Sequence, residues 1–221
     1  MSATFKLVVL ISGQGTNLKA ILEQIQAGHL QAEVAAVISN RPQAPGLTLA
    51  QQAGIHTAVL DHTQFDDRLS FDQALMDLID QHQPDLIVLA GFMRILSESF
   101  VHHFLGKLIN IHPSLLPKYQ GLHTHQRALA DKQTEHGASV HFVIPELDSG
   151  PVILQAAVPI YADDDVGRLQ QRVQVAEHQL YPEAIRRLVA GQVSFSNGMV
   201  YYGEQPISTQ QQQFEVTLNT T

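Results

Sequence analysis

The sequence predicts an α/β fold built on a mostly parallel twisted sheet, with flanking helices and an antiparallel C-terminal part. Three observations lead to this fold class. Short apolar runs alternate with helix-period segments through the first half of the chain, and glycine or proline stands at most changeovers. In the second half, residues 139–145 alternate apolar and polar side chains instead. An Asn197-Gly198 pair between apolar flanks is typical of a hairpin turn. Together these features indicate a Rossmann-like arrangement followed by antiparallel strands.

The first half contains five apolar runs that predict strands buried on both faces. They occupy residues 5–12, 34–39, 55–60, 85–90 and 107–111. Apolar residues at helical spacing predict helices between the first four strands, over residues 17–27, 47–53 and 65–81. Strand–helix–strand units of this kind join parallel strands by right-handed crossovers.

The second half predicts antiparallel pairing and one long helix. Strands are expected at residues 139–145 and 151–160, and a hairpin at 194–202. The helix is expected over residues 166–190, where Pro182 could interrupt it.

The domain organisation follows from the absence of a linker. No stretch rich in Pro, Gly or Ser divides the chain, so a single domain is expected over residues 1–204. Residues 205–221 contain four consecutive glutamines and no core pattern, which predicts a flexible Gln-rich tail.

The composition restricts the class of protein. The chain has 221 residues, a net charge of −8, 44% hydrophobic residues and no cysteine. Without cysteine there is no disulfide framework, no thiolate nucleophile and no Cys-ligated metal. No apolar run is long enough for a membrane span, and the polar N-terminus does not resemble a signal peptide. A cytoplasmic protein is expected. The acidic charge argues against a nucleic-acid partner.

A loop of small residues follows the first strand and includes Gly15, Thr16 and Asn17. Such a loop lets the backbone approach an anion, which free N–H groups at a helix start can bind. A dinucleotide fingerprint would need glycine where Leu18 stands, and the Gly-Lys-Ser/Thr of an ATP-binding P-loop is missing. The loop therefore suits a single phosphate, or is a tight turn with Thr16 or Asn17 as the helix cap.

Asn110 and His112 stand at the end of the fifth predicted strand. Residues two apart in a strand project to the same side, at the edge of the sheet where α/β proteins bind ligands. An amide and an imidazole there could stabilise an oxyanion and transfer a proton, or could form an ordinary polar strand end. Asp148, in a later turn, is the natural carboxylate partner of His112, although an acid in such a turn is often only a turn former.

The remaining histidines do not predict a metal site. His123 and His125 alternate, but no third-ligand motif accompanies them, so no metal is expected. Gln174 and Glu177 share one face of the long helix, where an ordinary solvated surface is the simpler interpretation.

Taken together, the segments resemble the folate-dependent glycinamide ribonucleotide formyltransferases of purine synthesis, and so imply the formyltransferase fold. The resemblance covers residues 5–202. It rests on residues 10–18, 89–96, 110–117, 121–125, 136–143 and 148–153. The N-I-H-P-S-L-L-P motif at 110–117 also occurs in related hydrolases, whereas the S-G-x-G-[ST]-N loop narrows the resemblance to the glycinamide ribonucleotide enzymes. The family's usual Pro-Gly is replaced here by Gln120-Gly121.

The resemblance implies an activity and the residues that perform it. The activity is formyl transfer from 10-formyltetrahydrofolate, as formyl-donor cosubstrate, to glycinamide ribonucleotide, without a metal. The implied catalytic residues are Asn110, His112 and Asp148. The Leu116–Pro117 bond is a candidate cis peptide on the same grounds.

The resemblance also implies two sets of binding residues. Substrate phosphate would be held by Gly15, Thr16 and Asn17, and the ribose hydroxyls by Gln174 and Glu177. The folate would contact Arg68, Met93, Arg94, Ile95, Leu96, Asn110, Ile144 and Asp148, with its pteridine in a slot closed by residues 144–148. A monomer or a homodimer is expected.

Two other classes of function compete with this hypothesis. A formyltetrahydrofolate hydrolase or a methionyl-tRNA formyltransferase would carry an additional domain, for which the chain is too short, and the acidic charge opposes tRNA binding. A non-catalytic nucleotide-binding module would keep the sheet and the phosphate loop but would not need Asn110, His112 and Asp148 together.

Overall fold

The apolar runs of the first half form a parallel sheet in the computed structural model, which describes residues 4–218. In spatial order β3-β2-β1-β4-β5, its strands are β1 (Phe5–Ile11), β2 (Ala32–Ser39), β3 (Thr57–Val59), β4 (Leu86–Leu89) and β5 (Leu108–His112). β1 pairs in parallel with both β2 and β4, so the strand order reverses at β1. Loops after β1 and β4 therefore border a switch point, where open α/β sheets bind ligands.

Four helices accompany these strands: α1 (Thr16–Gln26), α2 (Pro45–Gln52), α3 (Arg68–Asp80) and α4 (Glu98–His103). The helix predicted from residue 65 begins later, because the side chain of Asp67 accepts a hydrogen bond from the Ser70 N–H and caps α3. A short 3₁₀ turn, His62–Gln64, precedes it. Sequence analysis gave no bounds for α4, although His102 and His103 resemble a solvated helix end, and Ser97 caps this helix by accepting from the Phe100 N–H.

The chain forms two compact units that divide between Asn110 and Ile111, inside β5. In the second unit, β6 (Glu135–Phe142) and β7 (Val152–Pro159) pair antiparallel, and α6 (Val166–Val189) packs on both. Pro182 lies inside α6 without interrupting it. The predicted fold class, a mostly parallel sheet with helices and an antiparallel C-terminal part, is confirmed.

The rest of the second unit is made of short elements. α5 (Thr124–Ala130) was not predicted, whereas the expected hairpin is present as β8 (Val193–Ser196) and β9 (Met199–Tyr202). β10 (Gln205–Pro206) pairs with β9 to give a small three-stranded sheet. The Leu116–Pro117 bond is cis, as the resemblance implies.

The segment predicted as a flexible tail contacts β7 over part of its length. After α7 (Thr209–Gln212), Gln213 forms a parallel bridge with Gln155, and the Phe214 N–H donates to the Gln155 carbonyl at 2.8 Å. Residues 219–221 of that prediction lie outside the described residues. The single domain over residues 1–204 stays a prediction. Within residues 4–218, no helix combines the length and the apolarity that crossing a membrane requires.

Candidate active site

The small-residue loop after β1 enters α1 through Gly15, whose φ of 74° lies in the left-handed region. Gly15 itself is the N-cap residue, without a side-chain cap hydrogen bond, so the alternative in which Thr16 or Asn17 caps the helix is wrong. The loop is fastened to the start of α2, because the Gly46 N–H donates to the Gly13 carbonyl at 3.0 Å. The backbone N–H groups at the beginning of α1 form the feature that can bind an anion.

Ser12 joins this loop to the segment after β4. Its hydroxyl donates to Oδ1 of Asn40 at 2.6 Å and accepts from the Met93 N–H at 2.8 Å, while its own N–H donates to the Gly91 carbonyl. The predicted phosphate loop and the predicted folate segment, 93–96, therefore lie at the same edge of the first unit. Sequence analysis gave Ser12 no role, since a serine at a strand end carries no distinctive signal.

The folate segment presents apolar side chains beside one guanidinium. Met93 and Ile95 are exposed, whereas Arg94 is half-buried and its guanidinium carbon lies 4.7 Å from the centroid of the Phe71 ring on α3. Nε of Arg94 is buried and makes no hydrogen bond within residues 4–218. Arg68, at the first position of α3, is exposed. An exposed apolar strip beside a guanidinium suits a flat ring system that carries a carboxylate.

His112 and Asp148 form a buried pair in the second unit. Nδ1 of His112 lies 3.4 Å from Oδ2 of Asp148, with the two side chains 7% and 10% exposed. Nε2 of His112 lies 2.8 Å from the Tyr119 carbonyl, which can only accept, so this nitrogen carries a proton. Because both ring nitrogens face acceptors, the arrangement suits the doubly protonated imidazolium. Asn110 precedes His112 by two residues in β5.

The Asp148 carboxylate has two further neighbours. Oδ2 accepts from the Gly121 N–H at 3.0 Å, and Oδ1 lies 3.8 Å from Nε2 of His141. Burial lowers the pKa of His141, although the Phe142 carbonyl and Asp148 oppose the shift. Nδ1 of His141 donates to that carbonyl at 2.9 Å. The carboxylate is thus held by a backbone donor on one side and by imidazoles on the other.

Two more histidines lie next to this pair. His125 and His136 meet edge to face, with ring centroids 5.1 Å apart. Burial lowers the pKa of His136 to about 4, with His125 adding to the shift. Burial also lowers the pKa of His125, and the charge of His112 contributes. The imidazoles of His125 and His136, whose pKa values are both lowered, therefore lie next to His112.

The remaining predicted residues of the second unit lie on α6 and after β6. Gln174 and Glu177 are half-buried on one face of α6, and Ile144 follows β6 ahead of the Asp148 turn. Residues 4–218 contain no group of three or more His, Asp or Glu side chains placed to hold a metal ion. Sequence analysis missed Tyr119 and Gly121, which act through backbone groups that every residue possesses.

A family model for formyl transferase matches residues 5–185. The chain belongs to the formyl transferase family. Its relatives include the phosphoribosylglycinamide formyltransferase of Escherichia coli (strain K12), which is 49% identical over 204 residues, covering 92% of this chain and 96% of that protein.

Solved formyl transferase structures agree with this assignment. The phosphoribosylglycinamide formyltransferase of Coxiella burnetii, in complex with CHES, superposes with a TM-score of 0.91 at 48% identity, covering 97% of this chain and all of that one. A formyltetrahydrofolate deformylase from Pseudomonas syringae pv. tomato superposes with a TM-score of 0.84 at 24% identity, covering 91% of this chain and 66% of that one. At that identity the second likeness shows the fold alone.

Proposed function

We propose that this formyl transferase moves the formyl group of 10-formyltetrahydrofolate to the amine of N1-(5-phospho-D-ribosyl)glycinamide, which gives the N-formyl product in de novo purine synthesis. The observation that carries the proposal is the buried His112–Asp148 pair, whose histidine stands two residues after Asn110 on β5. Identity of 49% with the E. coli phosphoribosylglycinamide formyltransferase over most of both chains favours this substrate.

The proposed reaction needs no nucleophile from the protein. The substrate amine attacks the formyl carbon, a C–N bond forms, and negative charge develops on the formyl oxygen. Asn110 and protonated His112 stabilise this charge, and Asp148 keeps His112 protonated and oriented. The bond from the formyl carbon to the folate nitrogen then breaks, and the proton of the amine passes to that nitrogen, through ordered water. The Nε2 proton of His112, which the Tyr119 carbonyl accepts in the free protein, is the one assigned to the oxyanion.

Binding of two anionic ligands by a chain of charge −8 requires local features. We assign the substrate phosphate to the N–H groups of Gly15, Thr16 and Asn17 at the start of α1, and the ribose hydroxyls to Gln174 and Glu177 on α6. The folate is assigned to a set that shares exposed apolar surface and cations, namely Arg68, Met93, Arg94, Ile95, Leu96 and Ile144, together with Asn110 and Asp148.

The surroundings of the reaction are part of the proposal. We place the reaction in the cytoplasm and propose the two small molecules as the protein's partners, without nucleic acid, membrane or metal. The protein would act as a monomer or a homodimer. The acidic balance supports the exclusion of nucleic acid, since phosphate backbones bind basic surfaces.

A single assay separates this function from its competitors. Purified protein is mixed with 10-formyltetrahydrofolate, with and without glycinamide ribonucleotide, and folate absorbance is followed. Turnover only with the amine supports transfer. Turnover without it would identify a hydrolase, and no turnover would identify a nucleotide-binding module. The His112→Ala variant, purified in parallel, controls for enzymes carried over from the expression host.

A further inference from the structure

We propose that Gln120 is a positioning residue that holds the Asp148 turn and so sets the geometry of the His112–Asp148 pair. The inference rests on the proposed function only in that Asp148 acts there through His112. Nε2 of Gln120 donates to the Asp148 carbonyl at 3.2 Å and to the Ser149 hydroxyl at 3.0 Å. Both protons of the amide group are thus directed at one turn.

The turn to which Gln120 donates contains Asp148 in an unfavourable backbone conformation. Asp148 has a φ of 48°, in the left-handed region that residues with a Cβ rarely adopt. Such a conformation persists where the surrounding contacts enforce it. The Ser149 hydroxyl donates its proton to the Leu147 carbonyl at 3.0 Å, so its lone pairs remain to accept from Gln120. The hydrogen bonds therefore run in one direction, from Gln120 through Ser149 to the start of the turn.

The three consecutive residues 119–121 between them contact both His112 and Asp148. The Tyr119 carbonyl accepts from His112, the Gln120 side chain donates to the Asp148 main chain, and the Gly121 N–H donates to the Asp148 carboxylate. The segment is itself fastened to α5, because Arg127 donates to the Gln120 carbonyl at 2.7 Å. A rigid segment with these contacts determines how far apart the imidazole and the carboxylate lie.

The side-chain bonds depend on the residue that occupies position 120. Gln120 stands where the family resemblance leads us to expect proline, which has no side-chain donor. Gln120 is exposed, and it lines a cavity of about 460 Å³ together with Asp148 and Ser149. Hydrogen bonds within reach of water make modest net contributions, so we expect an effect of about three- to tenfold on the rate.

A double-mutant cycle tests the role. Gln120→Met keeps the length of the side chain and removes both donors. We expect kcat to fall about three- to tenfold while KM for glycinamide ribonucleotide stays within about twofold, because the residues assigned to that substrate are untouched. In an Asp148→Ala background the same substitution should leave the residual kcat unchanged, since the proposed action passes through Asp148. An equal loss in both backgrounds, or wild-type kcat in the single variant, would overturn the proposal. Gln126→Met is the matched control, because Gln126 is also an exposed glutamine and lies on α5.

A measurement independent of activity separates this inference from the proposed function. The amide proton of Gly121 reports its hydrogen bond to the Asp148 carboxylate. In Gln120→Met we expect its exchange with solvent to accelerate, whereas Gln126→Met should leave the exchange unchanged. An unchanged exchange rate of the Gly121 amide proton in Gln120→Met would refute the positioning role of Gln120 whether or not the protein transfers formyl groups. Absence of formyl transfer by the wild-type protein would refute the proposed function and leave this measurement valid.

Discussion

Gly15 and Gly46 pack backbone to backbone, so that a Cβ atom on Gly15 would stand 2.9 Å from the Cα atom of Gly46. The loop proposed to bind phosphate is therefore shaped by the first turn of α2 as well as by its own residues. Side chains at Gly15 meet two obstacles, a crowded neighbour and a φ of 74°. The close approach explains why small residues occur on both sides of this contact.

Gly15→Ala should weaken both folding and substrate binding. A left-handed conformation alone is unfavourable by about 1–2 kcal/mol for a residue with a Cβ, and the contact with Gly46 adds to this. We expect KM for glycinamide ribonucleotide to rise more than KM for the folate. Gly54→Ala is the matched control, because Gly54 has the same φ of 74° and open space around its Cβ position. Equal urea-unfolding free energies for the two variants would contradict the role of the Gly46 contact.

Removal of either proposed oxyanion donor should abolish most turnover. Loss of one such donor typically lowers the rate by about 10²–10³. We expect that loss in kcat for Asn110→Ala and for His112→Ala, with circular dichroism spectra like that of the wild type. His103→Ala, at an exposed histidine paired with Asp80, serves as control and should keep full activity. Near-wild-type turnover in either of the first two variants would show that the reaction does not use these groups.

The buried His136 should make the protein less stable in acid. Its pKa is lowered to about 4 from 6.5, so the folded state favours the neutral ring and the unfolded chain takes up the proton first. Stability from this group is complete above pH 6.5 and declines as the pH falls toward 4, by at most about 3 kcal/mol. Urea unfolding at pH 7 and pH 4.5 should show a smaller difference in His136→Asn than in the wild type. The same difference in both proteins would exclude His136 as the source.

Two arginines on α6 should contribute very differently to stability. Arg172 makes a two-pronged pair with Asp164 at 2.6 and 2.9 Å, with side chains 17% and 2% exposed, and holds the pKa of that carboxyl below its usual range. Arg172→Ala leaves a buried carboxylate unpaired and should lower the unfolding free energy by about 2–3 kcal/mol. Arg168→Ala removes an exposed pair with Asp163 and should change it by less than about 1 kcal/mol. Comparable losses for the two variants, measured in urea, would refute this distinction.

The sequence predicted long elements well and short ones poorly. Buried runs such as residues 5–12 matched β1 within one residue, because several consecutive apolar side chains leave few alternatives. The helices α4 and α5, of six and seven residues, are too short to show a clear helical period. The order of the strands depends on contacts between segments far apart in the chain, which local patterns do not record.

In the candidate site, side-chain chemistry could be predicted from the sequence, whereas backbone contacts could not. The chemistry of His112 predicted a carboxylate partner, and Asp148 lies beside it. By contrast, the Tyr119 carbonyl and the Gly121 N–H could not be predicted, because every residue carries those groups and only the folded path brings these two to the pair. The contacts of the Gln120 side chain could not be predicted for a related reason, since an exposed glutamine in a loop has many equivalent orientations.

The contact of Gln213 and Phe214 with β7 has a consequence for how copies of the chain behave together. β6 pairs with one side of β7, and the bridge from Gln155 to Gln213 occupies part of the other side. Strand edges with open N–H and carbonyl groups act as templates for sheet formation between molecules. A chain that ends after Glu204 would leave this edge uncovered. We expect such a chain to self-associate in light scattering at concentrations at which the full-length chain stays dispersed.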